Sequence, residues 1–224
     1  MKVGLISDVH ANLPALAAVL DNMPPVDDVV CAGDVVGYNP WPAACLDRVR
    51  EVASVTVQGN HDATVETPER YRANRMAERG LEHARATLSE SDLAWLRALP
   101  RTATFDGGRY LLVHSHPSPD RDGAYVYPES FSTLARYLDD YAGVVLGHTH
   151  VQAAESIDDG RLVVNPGSVG QPRDGDPDAA YAVLDTDRNE VDLRRTAYDR
   201  DRVRAAVEEA GLPSRTAERL FEGE

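Results

Sequence analysis

The chain of 224 residues has little of several features that mark common protein classes. Its two cysteines, Cys31 and Cys45, are flanked by ordinary apolar residues, which indicates buried reduced thiols rather than a disulfide framework or a metal site. No apolar run approaches the roughly 18 residues that a membrane span needs. Asp8 and His10 interrupt the apolar N-terminus too early for a signal peptide. We therefore expect a cytoplasmic protein that makes no membrane contact.

Basic residues are scarce as well. The chain has 23 basic and 37 acidic residues, for a formal net charge of −14, and Lys2 is the only lysine. Such a charge repels phosphates over most of the surface, which argues against nonspecific tracking along DNA or RNA. Two interpretations of the acidity stay open. One is adaptation to high intracellular salt, which screens the self-repulsion. The other is a high-GC genome, whose codons favour arginine over lysine. We favour the halophilic interpretation.

The first part of the chain alternates strand and helix. The length of 224 residues and the hydrophobic content of 42% over the whole chain predict one domain, 1–224, with a full core. Apolar runs at 2–7, 28–32 and 55–57 predict buried strands, and segments with helical spacing separate them. This alternation is typical of right-handed crossovers on a mostly parallel sheet. In such sheets ligands bind beyond the carboxyl ends of the strands.

The second part changes to paired strands. Turn signals at Asp106–Gly108, Asp158–Gly160 and Thr186–Asn189 predict three hairpins. Residues 68–99 have a helical pattern, and so does a C-terminal tail from about 199 to 224. The economical arrangement of these elements is an α/β structure in which two sheets pack face to face with helices outside.

Five short segments hold almost all the metal-capable side chains, and each lies where an apolar run gives way to glycine or polar residues. They are Asp8-Val9-His10, Gly33-Asp34, Gly59-Asn60-His61-Asp62, His114 and Gly147-His148-Thr149-His150. These segments include five of the seven histidines, so a chance distribution is a poor explanation. If the strands lie side by side, the side chains that follow them converge at one edge.

The donor chemistry of these segments favours two metal ions. Asp8 and His10, two residues apart, point to the same side of an extended backbone, as do the two histidines of the last segment. The carboxylate of Asp34 can bridge two ions, and Gly147 lets the backbone come close to them. Carboxylate, imidazole and amide oxygen without thiolate suit hard-to-borderline divalent cations. Two such ions ~3.5–4 Å apart hydrolyse phosphate esters, so the sequence predicts an enzyme.

The order of these motifs resembles that of the calcineurin-like metallophosphoesterases, and more closely that of their small prokaryotic branch typified by YfcE. The segments Ser7–Asn12, Gly33–Tyr38 and Asn165–Arg173 are also similar to that branch, and the resemblance runs over about 1–200. Ala11 departs from the family, which often has glycine there. The resemblance implies a four-layer α/β/β/α sandwich of two mixed sheets flanked by helices.

The resemblance also implies a role for each site residue. The first metal ion would be held by Asp8, His10, Asp34 and His150, and the second by Asp34, Asn60, His114 and His148. His61 would face the substrate phosphate, with Asp62 orienting it. We expect Mn²⁺, with Ni²⁺, Co²⁺, Fe²⁺ and Zn²⁺ as alternatives. A metal-activated hydroxide would attack phosphorus in line, while His61 protonates the leaving oxygen or stabilises its charge.

Three further residues are candidates for substrate contact: Asn12, Tyr38 and Arg173. Arg173 is suited to bind a phosphate oxygen. An ion pair with Asp174 or Asp176 is an equal alternative at this stage.

We therefore expect a phosphodiesterase or phosphatase that acts on small phosphoesters. A protein Ser/Thr phosphatase and a dinucleoside polyphosphate hydrolase are alternatives with the same chemistry and a different pocket. A non-catalytic metal-binding scaffold, similar to retromer-type relatives, is an alternative of another class. The sequence has His61 as well as all seven ligand residues, which argues against a scaffold. The natural substrate, the monoester or diester preference, and monomer or homo-oligomer stay open.

Overall fold

A computed structural model describes residues 1–158 and 160–224 of the chain. The alternating part contains β1 (Lys2–Ile6), α1 (Leu13–Asn22), β2 (Asp28–Cys31), α2 (Pro42–Val52), β3 (Val55–Thr56) and α3 (Asn60–Thr64). A short 3-10 helix at Pro68–Tyr71, α4 (Arg75–Thr87) and α5 (Glu90–Ala98) follow. The predicted helical segment 68–99 is therefore three helices. Ser89 begins the last of them, because its side chain accepts a hydrogen bond from the Asp92 amide.

The paired strands follow in the predicted order. They are β4 (Thr102–Phe105), β5 (Tyr110–Val113), β6 (Gly143–Val145), β7 (Ala153–Ile157), β8 (Arg161–Asn165), β9 (Ala179–Asp185) and β10 (Glu190–Thr196). Each of the three predicted turns joins two antiparallel neighbours; in the second turn, Asp159 lies outside the described residues. A 3-10 helix, Pro128–Tyr137, precedes β6, and the tail forms α6 (Arg200–Glu209) and α7 (Ser214–Glu222).

The strands form two mixed five-stranded sheets, with orders β10-β9-β1-β2-β3 and β4-β5-β6-β8-β7. In the first sheet β1, β2 and β3 are parallel to one another, and β9 is antiparallel to both of its neighbours, β1 and β10. In the second, β5, β6 and β8 are parallel. The carboxyl ends of β1, β2 and β3 therefore lie at one edge, and those of β5 and β6 lie together in the other sheet.

Alternation along the strands sorts the core into layers. Val3 and Leu5 of β1 pack against the second sheet, in a cluster that includes Leu112 of β5. Ile6 belongs instead to the cluster that α1, α2, α4 and α5 form on the outer face of the first sheet. Phe131 packs, with other residues of its 3-10 helix, against the outer face of the second sheet. The predicted four-layer α/β/β/α sandwich is confirmed.

The expectation for the two cysteines is also met. Cys31 and Cys45 are buried free thiols, and burial raises the pKa of both. Among the described residues, none of the helices combines the length and apolar character that crossing a bilayer requires.

The interface between the two sheets should carry a large share of the stability. Leu112 is fully buried there, whereas Leu193 on β10 is 37% exposed. Leu112→Ala should lower the free energy of unfolding by about 2–5 kcal/mol, because it leaves a cavity in a packed interior. Leu193→Ala is the matched control and should change it by less than about 0.5 kcal/mol. Urea denaturation measures both, and equal losses would contradict the assignment of Leu112 to the core.

Candidate active site

The five motif segments meet where the strands end. Asp8 follows β1, Asp34 follows β2, and Asn60 to Asp62 begin α3 after β3. His114 follows β5, and His148 follows β6 by three residues. Both sheets thus contribute side chains to one place. Donor atoms lie within 4.8 Å of one another in three buried groups, which are Asp8, His10 and His150; His10, Asp34 and His61; and Asp8, Asp34 and His114.

Backbone carbonyls hold three of the imidazoles by the nitrogen that faces away from the cluster. The Nδ1 atoms of His10, His114 and His150 lie 3.1, 2.7 and 2.6 Å from the carbonyl oxygens of Val36, Ala32 and Gln171. A carbonyl only accepts hydrogen bonds, so each Nδ1 carries a proton, and each Nε2 has a lone pair whenever its ring is neutral. This arrangement is typical of histidines that ligate metals.

The Nε2 atoms of these rings point at other acceptor atoms. His10 Nε2 lies 3.1 Å from His150 Nε2, and His114 Nε2 lies 3.0 Å from Asn60 Oδ1. Two acceptors at such distances repel each other unless a proton or a cation lies between them. With the carboxylates of Asp8 and Asp34 alongside, the donor set fits divalent cations.

The charges in the cluster agree with this fit. Burial acts to lower the pKa of His114, but the charge of Asp34 and a hydrogen bond to it raise the pKa to about 10. Burial also acts to raise the pKa of Asp34, but the charge of His114 and a hydrogen bond with it hold the pKa below its ordinary value. Burial lowers the pKa of His10 and, to about 4, that of His61. Without a cation, one proton on His114 therefore balances part of the carboxylate charge.

His148 is bound the other way round. Its Nε2 lies 3.1 Å from the Gly123 carbonyl oxygen, so Nε2 carries the proton and donates a hydrogen bond. The lone pair that could bind a metal ion is therefore on Nδ1. Its backbone amide donates to Asp8 Oδ2 at 3.0 Å. The ring lies outside the three close groups and stacks on Tyr125 at 4.2 Å. Asn60 lies between His114 and Tyr71, whose hydroxyl its amide group contacts.

The backbone under the cluster is strained. Positive φ angles, which are costly for residues other than glycine, occur at 52° for Asp8, 45° for His10, 53° for Ala11, 54° for Asp34, 59° for Tyr38, 70° for His148 and 60° for His150. Each such residue costs of order 1–3 kcal/mol, so the surrounding packing must impose the conformation. The angle at Ala11 also gives a physical reason for glycine at this position in relatives.

Two glycines allow the segments to approach this closely. A Cβ atom on Gly147 would lie 2.1 Å from Ser7 Oγ, which bears out the expectation that this glycine lets the backbone reach the cluster. A Cβ atom on Gly59 would lie 2.0 Å from Asp34 Oδ1. Any side chain at either position would displace a predicted ligand or its neighbour.

The expectation that Asp62 orients His61 is wrong. The Asp62 carboxylate accepts hydrogen bonds from the amides of Asp34 at 2.8 Å, Val35 at 3.0 Å and Gly59 at 3.0 Å. Burial, and then the charge of Asp34, raise the pKa of Asp62 to about 7. These amides saturate the carboxylate, so Asp62 fixes the Asp34 loop onto the start of α3.

His61 is held by rings instead. Within the part of the chain that the structure describes, its imidazole makes no hydrogen bond, and its Nδ1 is buried without a partner. The rings of Tyr38 and Tyr71 lie 4.8 and 4.9 Å from it. His61 thus lies beside the cluster and faces an open cavity of about 240 Å³.

Two of the three residues predicted to contact substrate lie in the wall of the same cavity. Tyr38 and Arg173 line it. The guanidinium group of Arg173 donates to Gln171 Oε1 at 2.7 Å and to the Tyr38 hydroxyl at 3.2 Å. Among the described residues it has no carboxylate partner, because Asp174 and Asp176 both pair with Arg195. The ion-pair alternative for Arg173 is therefore wrong, and the guanidinium group is available to an anion.

The prediction for Asn12 is wrong. Asn12 is fully buried, its Oδ1 accepts from the Ala15 amide at 3.2 Å, and its Nδ2 donates to the Gly170 carbonyl at 3.0 Å. Both polar groups of the side chain are satisfied, so it caps α1 and lies outside the cavity. Tyr71 and Tyr125 line the cavity and were missed, because neither belongs to a motif; the only signal is the alternation Tyr125-Val126-Tyr127.

Comparisons with known proteins agree with this geometry. Residues 1–189 match the model of the calcineurin-like phosphoesterase superfamily domain. The crystal structure of a metallophosphoesterase from Sphaerobacter thermophilus is 34% identical and superimposes with a TM-score of 0.86, with each chain covered completely. An uncharacterized protein of Methanocaldococcus jannaschii is 28% identical over 99% of this chain and 98% of its own.

A more distant solved structure is the E. coli phosphoesterase YfcE. It is 25% identical, with a TM-score of 0.50 over 89% of this chain and 100% of its own. The family model covers every residue of the buried cluster, and the Sphaerobacter enzyme covers the whole fold. The chain therefore belongs to the calcineurin-like phosphoesterase superfamily.

Proposed function

We propose that the protein is a dinuclear-metal phosphoesterase that hydrolyses phosphodiesters or phosphomonoesters of small molecules. The observation that carries the proposal is the set of three imidazoles whose Nδ1 atoms are bound by carbonyls. The Nε2 atoms of His10 and His150 face each other, and the Nε2 of every one of the three rings lies near the carboxylate of Asp8 or Asp34. A buried set of acceptors with this spacing is costly in a protein that binds no cation.

The residues divide between two ions as the resemblance implies. Asp8, His10, Asp34 and His150 would hold the first ion, and Asp34, Asn60, His114 and His148 the second. His148 would bind through Nδ1, since Gly123 occupies its other nitrogen. Mn²⁺ is the proposed ion, and because the mixed donor set does not select one cation by softness, Ni²⁺, Co²⁺, Fe²⁺ and Zn²⁺ are alternatives. When bound, the ions activate a water molecule and neutralise the charge of the phosphate.

Side chains around the cavity would do the rest. Arg173 and the Tyr38 hydroxyl donate to phosphate oxygens and orient the ester. Burial keeps His61 neutral in the free site by lowering its pKa to about 4. The negative charge of a bound phosphate raises that pKa again, which lets the imidazole protonate the leaving oxygen or stabilise its charge.

The non-catalytic scaffold is the weaker alternative. A scaffold has no use for His61, which the structure buries beside the cluster with its ring facing the cavity. The cavity of about 240 Å³ suits a small ester, which favours small molecules over a protein phosphatase substrate.

Removal of metal should abolish activity. The protein dialysed against a chelator should not hydrolyse bis-p-nitrophenyl phosphate or p-nitrophenyl phosphate, and Mn²⁺ should restore the rate. Ni²⁺, Co²⁺, Fe²⁺ and Zn²⁺ are tested in parallel, because the donor set tolerates them. Full activity of a sample shown by elemental analysis to be metal-free would contradict the proposal.

Replacement of Asp34 should remove metal as well as activity. Asp34→Asn keeps the size of the side chain but lacks the negative charge that would bridge two cations. Elemental analysis should show at least one ion fewer per chain. Asp21→Asn, at an exposed position on α1, is the control and should keep both ions. Two ions at wild-type occupancy in Asp34→Asn would refute the bridging role.

Replacement of His61 should separate catalysis from metal binding. His61→Gln should keep both ions, and turnover should fall by ~10²–10⁴, the scale of a lost proton donor. The loss should be greater for esters whose leaving groups have a high pKa. His83→Gln is the control, since His83 on α4 contacts the Pro40 carbonyl and not the cavity. If His61→Gln lost an ion, His61 would be a ligand; a loss independent of leaving group would make it an electrostatic contact.

A further inference from the structure

Two tyrosines beside the cavity have no role in the chemistry described so far. Tyr125 and Tyr127 are 54% and 42% exposed, whereas Val126 between them is 5% exposed and packs with Phe131. Because alternate residues of an extended segment point to opposite sides, the buried valine turns both tyrosines outward together. Tyr127 itself has extended backbone angles. We call these two residues the tyrosine shelf.

The rings of the shelf are ordered relative to the metal cluster. Tyr125 stacks on His148 with centroids 4.2 Å apart and planes 13° apart. Tyr127 lies 5.9 Å from Tyr125 with planes 18° apart. The loop that carries them is held in place, since Gly123 receives a hydrogen bond from the His148 ring and donates one to Ser115 Oγ at 2.9 Å. Three nearly parallel rings thus lead from a predicted metal ligand to solvent.

The shelf reaches the cavity of the phosphate-binding side through Tyr125, and Tyr127 continues it outward by stacking on Tyr125. Tyr125 lines this cavity together with His61 and Arg173, and Tyr38 and Tyr71 line it too. Aromatic residues make up only 6% of the chain, so tyrosines are concentrated around this opening. Flat rings with a polar edge cost little side-chain entropy when they bind a second flat ring in water. One small molecule can place its phosphate at Arg173 and a ring at the shelf.

We propose that the tyrosine shelf binds a planar aromatic group of the substrate, of the size and type of a nucleobase. This inference rests on the proposed phosphoesterase function and narrows its substrates to esters of nucleoside-like compounds. Stacking of one base on an aromatic side chain corresponds to an affinity gain of about 5- to 150-fold. The acidic surface outside the cavity disfavours a long nucleic acid, so the substrate is a small nucleotide.

The test compares two ligands that differ only in the base. AMP and ribose 5-phosphate are used as competitive inhibitors of bis-p-nitrophenyl phosphate hydrolysis by the Mn²⁺-loaded protein. AMP should have the lower inhibition constant by about 5- to 150-fold. In Tyr127→Ala the ratio should fall toward one because AMP binds more weakly, while the constant for ribose 5-phosphate stays the same. Tyr127→Phe should keep the wild-type ratio.

Phe221→Ala is the matched control, since Phe221 on α7 is 38% exposed and its ring contacts Arg204, whereas Tyr127 stacks on the cavity residue Tyr125. It should leave both inhibition constants unchanged. Equal constants for the two ligands in the wild-type protein would overturn the proposal. So would a Tyr127→Ala variant that weakens both ligands equally. Absence of any hydrolysis would instead contradict the phosphoesterase function, and calorimetric titration with AMP and ribose 5-phosphate would then measure the same ratio.

Discussion

Mutual repulsion among buried acceptors is the constraint on which the rest of this structure depends. Asp8, Asp34, His10, His114 and His150 bring carboxylate oxygens and imidazole lone pairs within a few ångströms of each other, in a place that water barely reaches. Such a cluster would disperse if its segments were free to move. It persists because each donor is fixed by its own backbone or by a carbonyl behind it, and the rest of the fold supplies that fixation.

The fixation comes from hydrogen bonds between segments that are far apart in the sequence. The Asp8 amide donates to Gly33 at 2.9 Å, that of Gly147 to His114 at 3.0 Å, and that of Val169 to Ser7 at 3.0 Å. Together these bonds connect the ends of strands in both sheets. Strained φ angles at the predicted ligands are tolerated since the packed sandwich below determines where each chain segment leaves its strand. Rigidity of this kind prepares a metal site in advance, which reduces the reorganisation that binding would require.

The charge and the cavity wall around the cluster favour some ligands over others. The chain as a whole carries a net charge of −14, which argues against binding of extended polyanions. Inside the cavity, the guanidinium group of Arg173 has no carboxylate partner among the described residues, and tyrosines form much of the wall. A small anion with a flat organic group is therefore better matched to this opening than a polymer or a protein surface. Under the proposed function, the charge of Arg173 would select the phosphate, and the tyrosine rings would select the group to which the phosphate is attached.

The sequence by itself determined the succession of strands along the chain and the layers, and it supplied the prediction of the donor residues. Apolar runs that end in glycine or polar residues locate β1, β2 and β3, and the donors are the residues that follow, so local pattern and chemistry coincide. The tertiary structure alone decided the partners of those residues. Asp62 accepts hydrogen bonds from the amides of Asp34 and Val35 and does not contact the His61 ring. Arg173 donates to the hydroxyl of Tyr38, which is 135 positions away in the sequence. Asn12 donates to the Gly170 carbonyl. A hydrogen bond needs distance and angle between two specific atoms, and residues far apart in the chain acquire these only when the sheets pack.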